Sequence, residues 1–378
     1  MPKPLSVAPV RTRRERREWL ALPWKTNEGD PCWVPPLRHN QKLLAGFGNH
    51  PVYEDAHCKA FLAKRGAEPV GRLLAIVNHA HNRFHEDRVG FFGFFESLDD
   101  QEAATELLAA GERWLATQGM DRVRGPMNPT LNYELGLLIE GFDTAPYFLL
   151  THNPPYYQRL VEAAGYEKEQ DLYAYWGDVS MLDGLLNNQK ITNVTHMVRE
   201  RFGVKIRAMD TSRFSAEVEM FLGVYNRALT DTWGYVPMSE GEVRAFAADL
   251  KRLIVPELVR IAEVDGKPIG VVFGLLDFNP RIKAIDGRLF PFGFLKLLRN
   301  KRAIERVRLV STNVLPEYQS WGVGVALGRS LVKPAIDHGV TACEFSYVLE
   351  SNDLSRKTIE KSAARRYKTW RVYEKAIG

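Results

Sequence analysis

The sequence predicts an α/β fold made of two tandem domains, each with a mixed, mostly antiparallel β-sheet flanked by helices. Two observations predict the duplication. The same order of elements occurs twice along the 378 residues: a hairpin, a strand, a helix, a strand, a helix and a strand. A Pro-x-Gly turn phrase lies in the hairpin of each copy, at 69–71 and 268–270, and the second helix of each copy ends 94 positions after that glycine. Each copy then carries its own insertion, at 125–153 and 278–303.

In the first copy, apolar alternation predicts strands, and a helical period that stops at Gly119 predicts the first helix. In order, the elements are strands 59–64, 69–78 and 88–96, helix 100–119, a strand from Val123, helix 155–165 and strand 171–176.

In the second copy, strands 259–264, 268–276 and 307–314 precede helix 322–339, strand 342–349, helix 354–364 and strand 369–375. Two further helices, 215–229 and 239–253, come before this copy. We therefore expect a degenerate N-terminal domain at 1–178, a connecting segment at 179–207, and a C-terminal domain with the functional site at 208–378.

The composition is that of an ordinary globular protein, with 45% hydrophobic and 26% charged residues. A net charge of +5 is too small to indicate a nucleic-acid binder. Cys32, Cys58 and Cys343 are scattered and read as thiols in a reducing compartment. The arginine-rich N-terminus lacks the apolar stretch of a secretory signal, and no apolar run approaches eighteen residues. These features predict a cytoplasmic protein and leave peripheral contact with the inner membrane open.

The strongest chemical signal is the segment 314–324, which follows a β-branched strand and opens a helix. Glycines let a backbone approach a ligand closely, and the first N–H groups of a helix attract phosphate. A plain strand-to-helix turn would explain one glycine pair equally well. The spacing of Gln319, Gly322 and Gly324 resembles the acyl-CoA motif (Gln/Arg)-x-x-Gly-x-(Gly/Ala) of GNAT acyltransferases. The resemblance implies acyl-CoA binding, with no metal, by Val314, Leu315, Gln319, Ser320, Trp321, Gly322, Val323, Gly324 and Asn352.

In GNAT enzymes, backbone N–H groups polarise the thioester carbonyl and one base deprotonates the amine. The resemblance places the first role on Val314 and Leu315. Candidates for the base are Glu350, Tyr347 and Asn352, although Glu350 and Asn352 could equally cap the next helix. This sequence departs from the family at Ile359, where many members have a tyrosine that acts as the general acid. Either Asn352 is misaligned with the family's asparagine, Tyr367 or Tyr373 substitutes for the tyrosine, or the thiolate leaves without that acid.

Two aromatic segments are candidates for substrate binding. The loop 231–238 contributes Asp231, Trp233 and Tyr235, which could also be ordinary helix-joining residues. The insertion contributes Phe290 and Phe292 among basic residues, and Asp286 and Glu305 alone oppose nine cations at 281–308. Residues 278–308 could contact an anionic membrane, hold an acyl chain, bind the 3′-phosphate of CoA, or form a solvated hairpin.

The first copy lacks a counterpart of the cofactor loop, because its corresponding helix begins among acids that would repel a pyrophosphate. One acyl-CoA site is therefore expected. His79, His81 and His85 have no usual metal-ligand spacing and are interpreted as part of a surface loop.

As a whole, the chain resembles the tandem-GNAT group that includes bacterial ceramide synthases. The phrases that carry the resemblance are 125–129, 132–138, 153–157, 288–293 and 315–319. It implies transfer of a long fatty acyl group from acyl-CoA to the amine of a sphingoid base such as 3-oxosphinganine. The alternatives are acetyl transfer to a small amine, aminoacyl transfer, and a non-catalytic scaffold that binds acyl-CoA or a membrane.

Overall fold

The computed structural model describes residues 3–378. The strands are β1 (Leu5–Pro9), β2 (Ala56–Arg65), β3 (Glu68–Asn78), β4 (Val89–Ser97), β5 (Arg122–Gly125), β6 (Met127–Asn128), β7 (Glu134–Leu135), β8 (Leu137–Glu140), β9 (Glu167–Asp178), β10 (Lys205–Ala208), β11 (Val259–Val264), β12 (Lys267–Leu276), β13 (Arg306–Val314), β14 (Ala342–Leu349) and β15 (Arg365–Ala376). The helices are α1 (Arg13–Thr26), α2 (Arg38–Lys42), α3 (His79–His85), α4 (Gln101–Thr117), α5 (Tyr157–Ala163), α6 (Val179–Asn187), α7 (Gln189–Glu200), α8 (Phe214–Ala228), α9 (Glu240–Leu250), α10 (Asn279–Ala284), α11 (Gly293–Leu298), α12 (Val323–His338) and α13 (Asp353–Glu360).

The chain divides into two compact units, and each takes in residues that are distant in sequence. The first contains the described residues up to Leu172 together with Asn279–Leu297 and Lys368–Gly378. The second contains Tyr173–Phe278 and Leu298–Tyr367. The segment 179–207, expected to connect two domains, forms α6, α7 and most of β10 within the second unit.

The first unit is built on a sheet in the order β1-β2-β3-β4-β5, with its part of β15 beside β5. Neighbouring strands are antiparallel except β4 and β5, which are parallel. Helix α4 packs on β2 and β3, where Leu73, Ala75 and Leu107 are buried in the core. A Cβ at Gly111 would lie 2.6 Å from Leu73 Cδ2, so this glycine permits the close approach of helix and sheet.

The second unit is built on a sheet in the order β14-β13-β12-β11-β10. Its neighbours are antiparallel except β13 and β14, which are parallel. Helix α12 covers one face, where a Cβ on Gly270 would lie 3.1 Å from Leu327 Cδ1. Helix α8 covers the opposite face, where the rings of Phe221 and Phe273 are 6.0 Å apart. Successive side chains of β12 point to opposite faces of the sheet, so one set faces α12 and the other faces α8.

The link between strand and helix differs in length between the two units. Three residues, 98–100, join β4 to α4, whereas eight, 315–322, join β13 to α12. Asp100 is the N-cap of α4, accepts a bond from Ala103 N at 3.1 Å, and binds the Arg65 guanidinium at 2.6 and 2.8 Å. A carboxylate of the protein itself thus occupies the positive end of α4.

The first unit also fills the space where β4 and β5 diverge. Pairing of β4 with β5 ends at Phe91 and Arg124, and β6 follows β5 into this space. The Phe94 N–H donates to Asn128 Oδ1 at 2.6 Å. A Cβ at Gly93 would lie 1.8 Å from Met127 O, so the backbones touch there. The first insertion of the sequence therefore closes its own unit.

The histidine-rich segment is a short helix, α3, and the expectation of a surface loop was wrong. His81 is buried and packs edge-on against Phe91. Among residues 3–378, no group of three potential ligands is arranged to hold a metal ion. Over the same residues, no helix combines the length and apolar character needed to cross a membrane.

Candidate functional site

The N-terminus of α12 presents backbone N–H groups without intrahelical acceptors. The loop before it forms a 3₁₀ turn over Pro316–Trp321, and Gly322 is the N-cap with φ +83°. The first intrahelical bond of the N-terminal turn runs from Ala326 N to Gly322 O at 3.1 Å. The N–H groups of Val323, Gly324 and Val325 therefore lack helical partners, and no acidic residue lies in this turn. The geometry suits an anion.

Other loop residues hold the loop in place. Gln319 Nε2 donates to Val314 O at 3.2 Å, which ties the turn to the strand it leaves. The Trp321 ring stacks on Phe202 with centroids 4.4 Å apart. Val323 is fully buried, backbone included, whereas Gly324 and Val325 are partly exposed. Ser320 is exposed at the end of the turn.

Strands β13 and β14 diverge next to this loop. They pair only from Arg306 with Ala342 to Leu309 with Phe345, and a bulge at Val310 interrupts pairing of β13 with β12. Beyond Leu309, β13 borders an opening toward β14. The gap between these two parallel strands therefore gives a ligand room to reach the middle of the sheet.

The two backbone donors predicted from the motif differ in availability. The Leu315 N–H donates to Ile269 O at 2.9 Å, so its predicted role at a thioester carbonyl was wrong. In an antiparallel ladder, bonded and non-bonded positions alternate. Because residue 315 bonds to β12, Val314 is a non-bonded position, and its N–H points toward the opening between β13 and β14.

A buried polar cluster lies where the two strands begin to diverge. Glu344 on β14 is fully buried and accepts hydrogen bonds from Ser346 Oγ at 2.5 Å and from the Tyr367 hydroxyl. Arg308, its cross-strand neighbour, donates to Ser346 Oγ at 2.9 Å and Ser346 O at 3.1 Å. Burial raises the pKa of Glu344, and the positive charge of Arg308 opposes that rise.

This cluster lies on the α8 face of the sheet. Asn313 pairs with Val271 and Ser311 with Phe273, and both of those β12 residues face α8. The register shift at Val310 places Arg308 on this face as well. Glu344 is the cross-strand partner of Arg308, and cross-strand partners share a face, so Glu344 also lies there. Asn313 is buried, and its amide nitrogen has no hydrogen-bond partner among residues 3–378. A substrate group could accept that bond.

The catalytic candidates predicted from sequence lie nearby but have other surroundings. Glu350 is half-buried in the turn after β14, and Tyr347 follows Ser346 on β14. Asn352 is exposed and caps α13, where its Oδ1 accepts from Ser355 N at 3.0 Å. Sequence reasoning missed Glu344 and Arg308. A usable signal was present, because each is a charged residue within an otherwise apolar strand core.

The two tyrosines that could replace the missing general acid, Tyr367 and Tyr373, lie in different units. Tyr367 lies in the second unit and bonds to Glu344. Tyr373 lies in the first unit, where it is fully buried and donates to Glu162 Oε1 at 3.0 Å. Ile359 lies on α13 and is half-buried. Of these residues, Tyr367 alone contacts the buried carboxylate.

The residues predicted to bind the substrate also lie in different units. Tyr235 is buried in the loop between α8 and α9, and its hydroxyl donates to Asn226 Oδ1 at 2.9 Å. Burial raises its pKa to about 12. Asp231 is exposed and Trp233 half-buried in the same loop. Phe290 and Phe292 belong to the first unit and are 73% and 70% exposed, so they do not line an enclosed pocket.

The fold defines a class of protein. The tandem GNAT protein from the clavulanic acid biosynthesis pathway is similar to this chain with a TM-score of 0.58 and 13% identity, covering 99% of both chains. A GCN5-related N-acetyltransferase from Sphaerobacter thermophilus has a TM-score of 0.52 and 12% identity, covering 99% of this chain and 96% of its own. The chain has a tandem GNAT fold.

Sequence relatives define the family within that class. A bacterial ceramide synthase of Caulobacter vibrioides (strain NA1000 / CB15N) is 35% identical over 99% of this chain and 98% of that protein. Protein YghO of Escherichia coli (strain K12) is 31% identical over 97% and 94%. No family model matches the chain. The chain belongs to the GNAT N-acyltransferase family that includes this ceramide synthase.

Proposed function

We propose that this protein transfers a long-chain fatty acyl group from acyl-CoA to the amine of a sphingoid base. One observation carries the proposal. The opening between β13 and β14 is bordered at its outer end by the N-terminus of α12. At its inner end lies buried Glu344, bonded to Tyr367. A helix N-terminus that could bind an anion and a pair of side chains that could transfer protons thus border one opening.

Backbone groups of the loop before α12 and of its first turn are proposed to hold the acyl donor. The N–H groups of Gly324 and Val325, which are partly exposed, would bind the pyrophosphate of acyl-CoA at the positive end of α12. The N–H of Val314 points into the opening and would donate to the thioester carbonyl oxygen as negative charge develops on it. Gln319 supports this role by holding the Val314 carbonyl. These assignments use backbone groups, so they require the loop conformation more than particular side chains.

Glu344 and Tyr367 are proposed to transfer the protons of the reaction. The amine nitrogen attacks the thioester carbonyl carbon, the C–S bond breaks, and the amine loses one proton while the CoA thiolate gains one. Glu344 is proposed to accept the amine proton, because its raised pKa makes the ionised form a stronger base. The Tyr367 hydroxyl, which donates to Glu344, is proposed to supply the proton to sulfur. It would take the place of the tyrosine missing at Ile359.

Two features support a lipid acceptor over a small polar amine. One of the relatives that cover nearly the whole chain is named a bacterial ceramide synthase. Exposed aromatic residues in the second insertion are suited to a substrate that resides in a membrane. Contact of residues 278–308 with an anionic membrane is part of the same proposal.

An assay with purified protein tests the proposed function. Release of free CoA and formation of an N-acylated product are measured with palmitoyl-CoA or acetyl-CoA, using 3-oxosphinganine as the acceptor. We expect turnover with palmitoyl-CoA and a product heavier by one palmitoyl group. The same base with its amine already acetylated is the matched control and should give no turnover.

The other outcomes distinguish the alternatives. Turnover with acetyl-CoA alone would assign the protein to small-amine acetyl transfer. Binding of palmitoyl-CoA without CoA release, with every sphingoid base tried, would indicate a scaffold and overturn the proposal.

A further inference from the structure

Three large apolar side chains protrude within six residues of the second insertion. Phe290 is 73% exposed, Phe292 70% and Leu295 55%. Across residues 3–378, the other exposed large apolar side chains, Phe84, Val179, Met197 and Leu354, are scattered along the chain. Scattered exposure of this kind is ordinary, but a cluster needs an explanation. We call the segment Leu289–Leu295 the aromatic tip.

The aromatic tip has a defined conformation. Phe294 N donates to Leu289 O at 2.8 Å, and Leu295 N donates to Phe292 O at 3.2 Å. A Cβ at Gly293 would lie 1.8 Å from Arg288 O, so no other residue fits this turn without displacing the backbone. The rings of Phe290 and Phe294 lie 6.2 Å apart. Exposure of the tip is therefore a property of a folded turn.

The base of the aromatic tip is fastened within the first unit. Asp286 accepts hydrogen bonds from Trp24 Nε1 and from the Arg38 guanidinium, both at 2.5 Å. The Arg38 backbone N–H donates to Gly287 O at 3.0 Å. A Cβ at Gly287 would lie 2.1 Å from Pro36 O, which shows how closely the two backbones pack. These contacts hold the tip outward without using its apolar side chains.

The charge next to the aromatic tip is positive. Residues 279–297 contain four cations and a single acid, Asp286, which is engaged at the base. The Arg288 side chain is 66% exposed, and Lys296 is exposed beside Leu295. Apolar side chains that project between exposed cations match the order of layers in an anionic bilayer, where phosphate lies above hydrocarbon.

We propose that the aromatic tip inserts Phe290, Phe292 and Leu295 into the interfacial layer of an anionic phospholipid membrane, while Arg288 and Lys296 contact lipid phosphates. A short rigid turn costs little conformational entropy when it inserts. The proposal deepens the membrane contact that the proposed function includes, and it rests on exposure and charge, so it can fail while the acyl transfer stands. It places the first unit at the surface where a lipid substrate would be dissolved.

Flotation of the full-length protein with vesicles tests this proposal. Vesicles of phosphatidylglycerol and phosphatidylcholine are compared with vesicles of phosphatidylcholine alone, with no acyl donor present. We expect binding to the anionic vesicles. The double variant F290S/F292S should bind them roughly 100-fold more weakly, about tenfold for each buried phenylalanine. L354S, which removes an equally exposed apolar side chain elsewhere, is the matched control and should bind like wild type.

A second variant separates charge from apolar insertion. R288E/K296E should remove the preference for anionic over zwitterionic vesicles. Equal vesicle binding by wild type and F290S/F292S would overturn the proposal. So would a wild-type dimer, in sedimentation without lipid, that F290S/F292S converts to monomer, because the tip would then bind a second copy. Neither result decides whether the purified protein releases CoA from palmitoyl-CoA, so failure of the two proposals can be told apart.

Discussion

At the scale of single residues, the candidate site depends on where the sheet buries charge. Glu344 and Glu350 are six positions apart on one segment, and sequence reasoning favoured Glu350 because it ends the strand. Glu344 is instead fully buried, with Ser346 and Tyr367 donating to it, while Glu350 lies half-buried in a turn. A carboxylate in a dry, hydrogen-bonded position can be tuned as a base.

The first residue-scale prediction compares these two carboxylates. Glu344→Gln should lower kcat by about 100-fold or more, the usual contribution of a general base, with little change in acyl-CoA affinity. Glu350→Gln is the matched variant and should keep most of the turnover. Because the pKa of Glu344 is raised, the acid limb of kcat/KM in the wild type should lie above the range of an ordinary glutamate. Loss of turnover in Glu350→Gln alone would restore the sequence-based assignment.

The second residue-scale prediction concerns His81 in the first unit. Burial, followed by the charges of His85 and Arg124, lowers its pKa to about 3, although Asp87 Oδ2 lies 3.5 Å from its Nε2. The effect of burial exceeds that of Asp87, because the separation is longer than a hydrogen bond and His81 is 3% exposed. Protonation is then easier in the unfolded chain than in the folded one.

The stability that His81 contributes is present above pH 6.5 and is lost as pH falls toward 3. At pH 5 the loss should be about 2 kcal/mol. His81→Phe, whose ring keeps the contact with Phe91, should lose less stability than wild type between pH 7 and pH 5. Urea unfolding of both proteins at the two pH values measures this difference. An identical loss in both would show that His81 already titrates normally in the folded state.

At the scale of elements, the strand–loop–helix unit β13–α12 separates packing from binding. Gly322 has a left-handed backbone, and a Cβ there would lie 2.7 Å from Val194 Cγ1 on α7. Any substitution at Gly322 therefore disturbs the packing of the loop as well as a bound ligand. Gly324 is different, because a Cβ there meets only Val314 Cγ2, at an ordinary 3.8 Å. It is the position at which ligand binding can be tested alone.

The element-scale prediction uses two glycines on the same helix. Gly324→Glu adds a negative charge in the first turn of α12, where it favours the helix but repels a pyrophosphate. Gly328→Glu adds the same charge one turn further along, where a Cβ meets no atom within 4 Å. Acyl-CoA affinity, measured by calorimetry, should fall roughly 100-fold in Gly324→Glu and change little in Gly328→Glu. Equal affinities in both variants would contradict the loop assignment.

At the scale of the whole molecule, two units of similar plan differ in whether the space between their diverging strands stays open. In the first unit, β6 and Asn128 fill that space, and Asp100 occupies the positive end of α4. In the second unit, the first turn of α12 contains no acidic residue. One plan of strands and helices thus produces a closed unit and an open one through short changes in two connections.

The sequence alone was sufficient for the tandem α/β fold and for most of its elements, because these depend on local periodicity. The helix expected at 322–339 is α12, with Gly322 and Gly339 flanking it in left-handed conformations. The strands expected at 307–314 and 342–349 are β13 and β14, within one residue at their ends. Apolar alternation and glycine stops are properties of neighbouring residues, so they are visible without a structure.

Only the tertiary structure decided which side chains share the site. The Leu315 N–H is used by Ile269, Glu344 meets Tyr367 across 23 positions, and Phe290 protrudes from the first unit although its sequence lies inside the second copy. Burial, strand register and hydrogen-bond partners arise from contacts between distant parts of the chain, and no local pattern encodes them. The motif therefore identified the loop, while the register of β13 and β14 identified the carboxylate beside it.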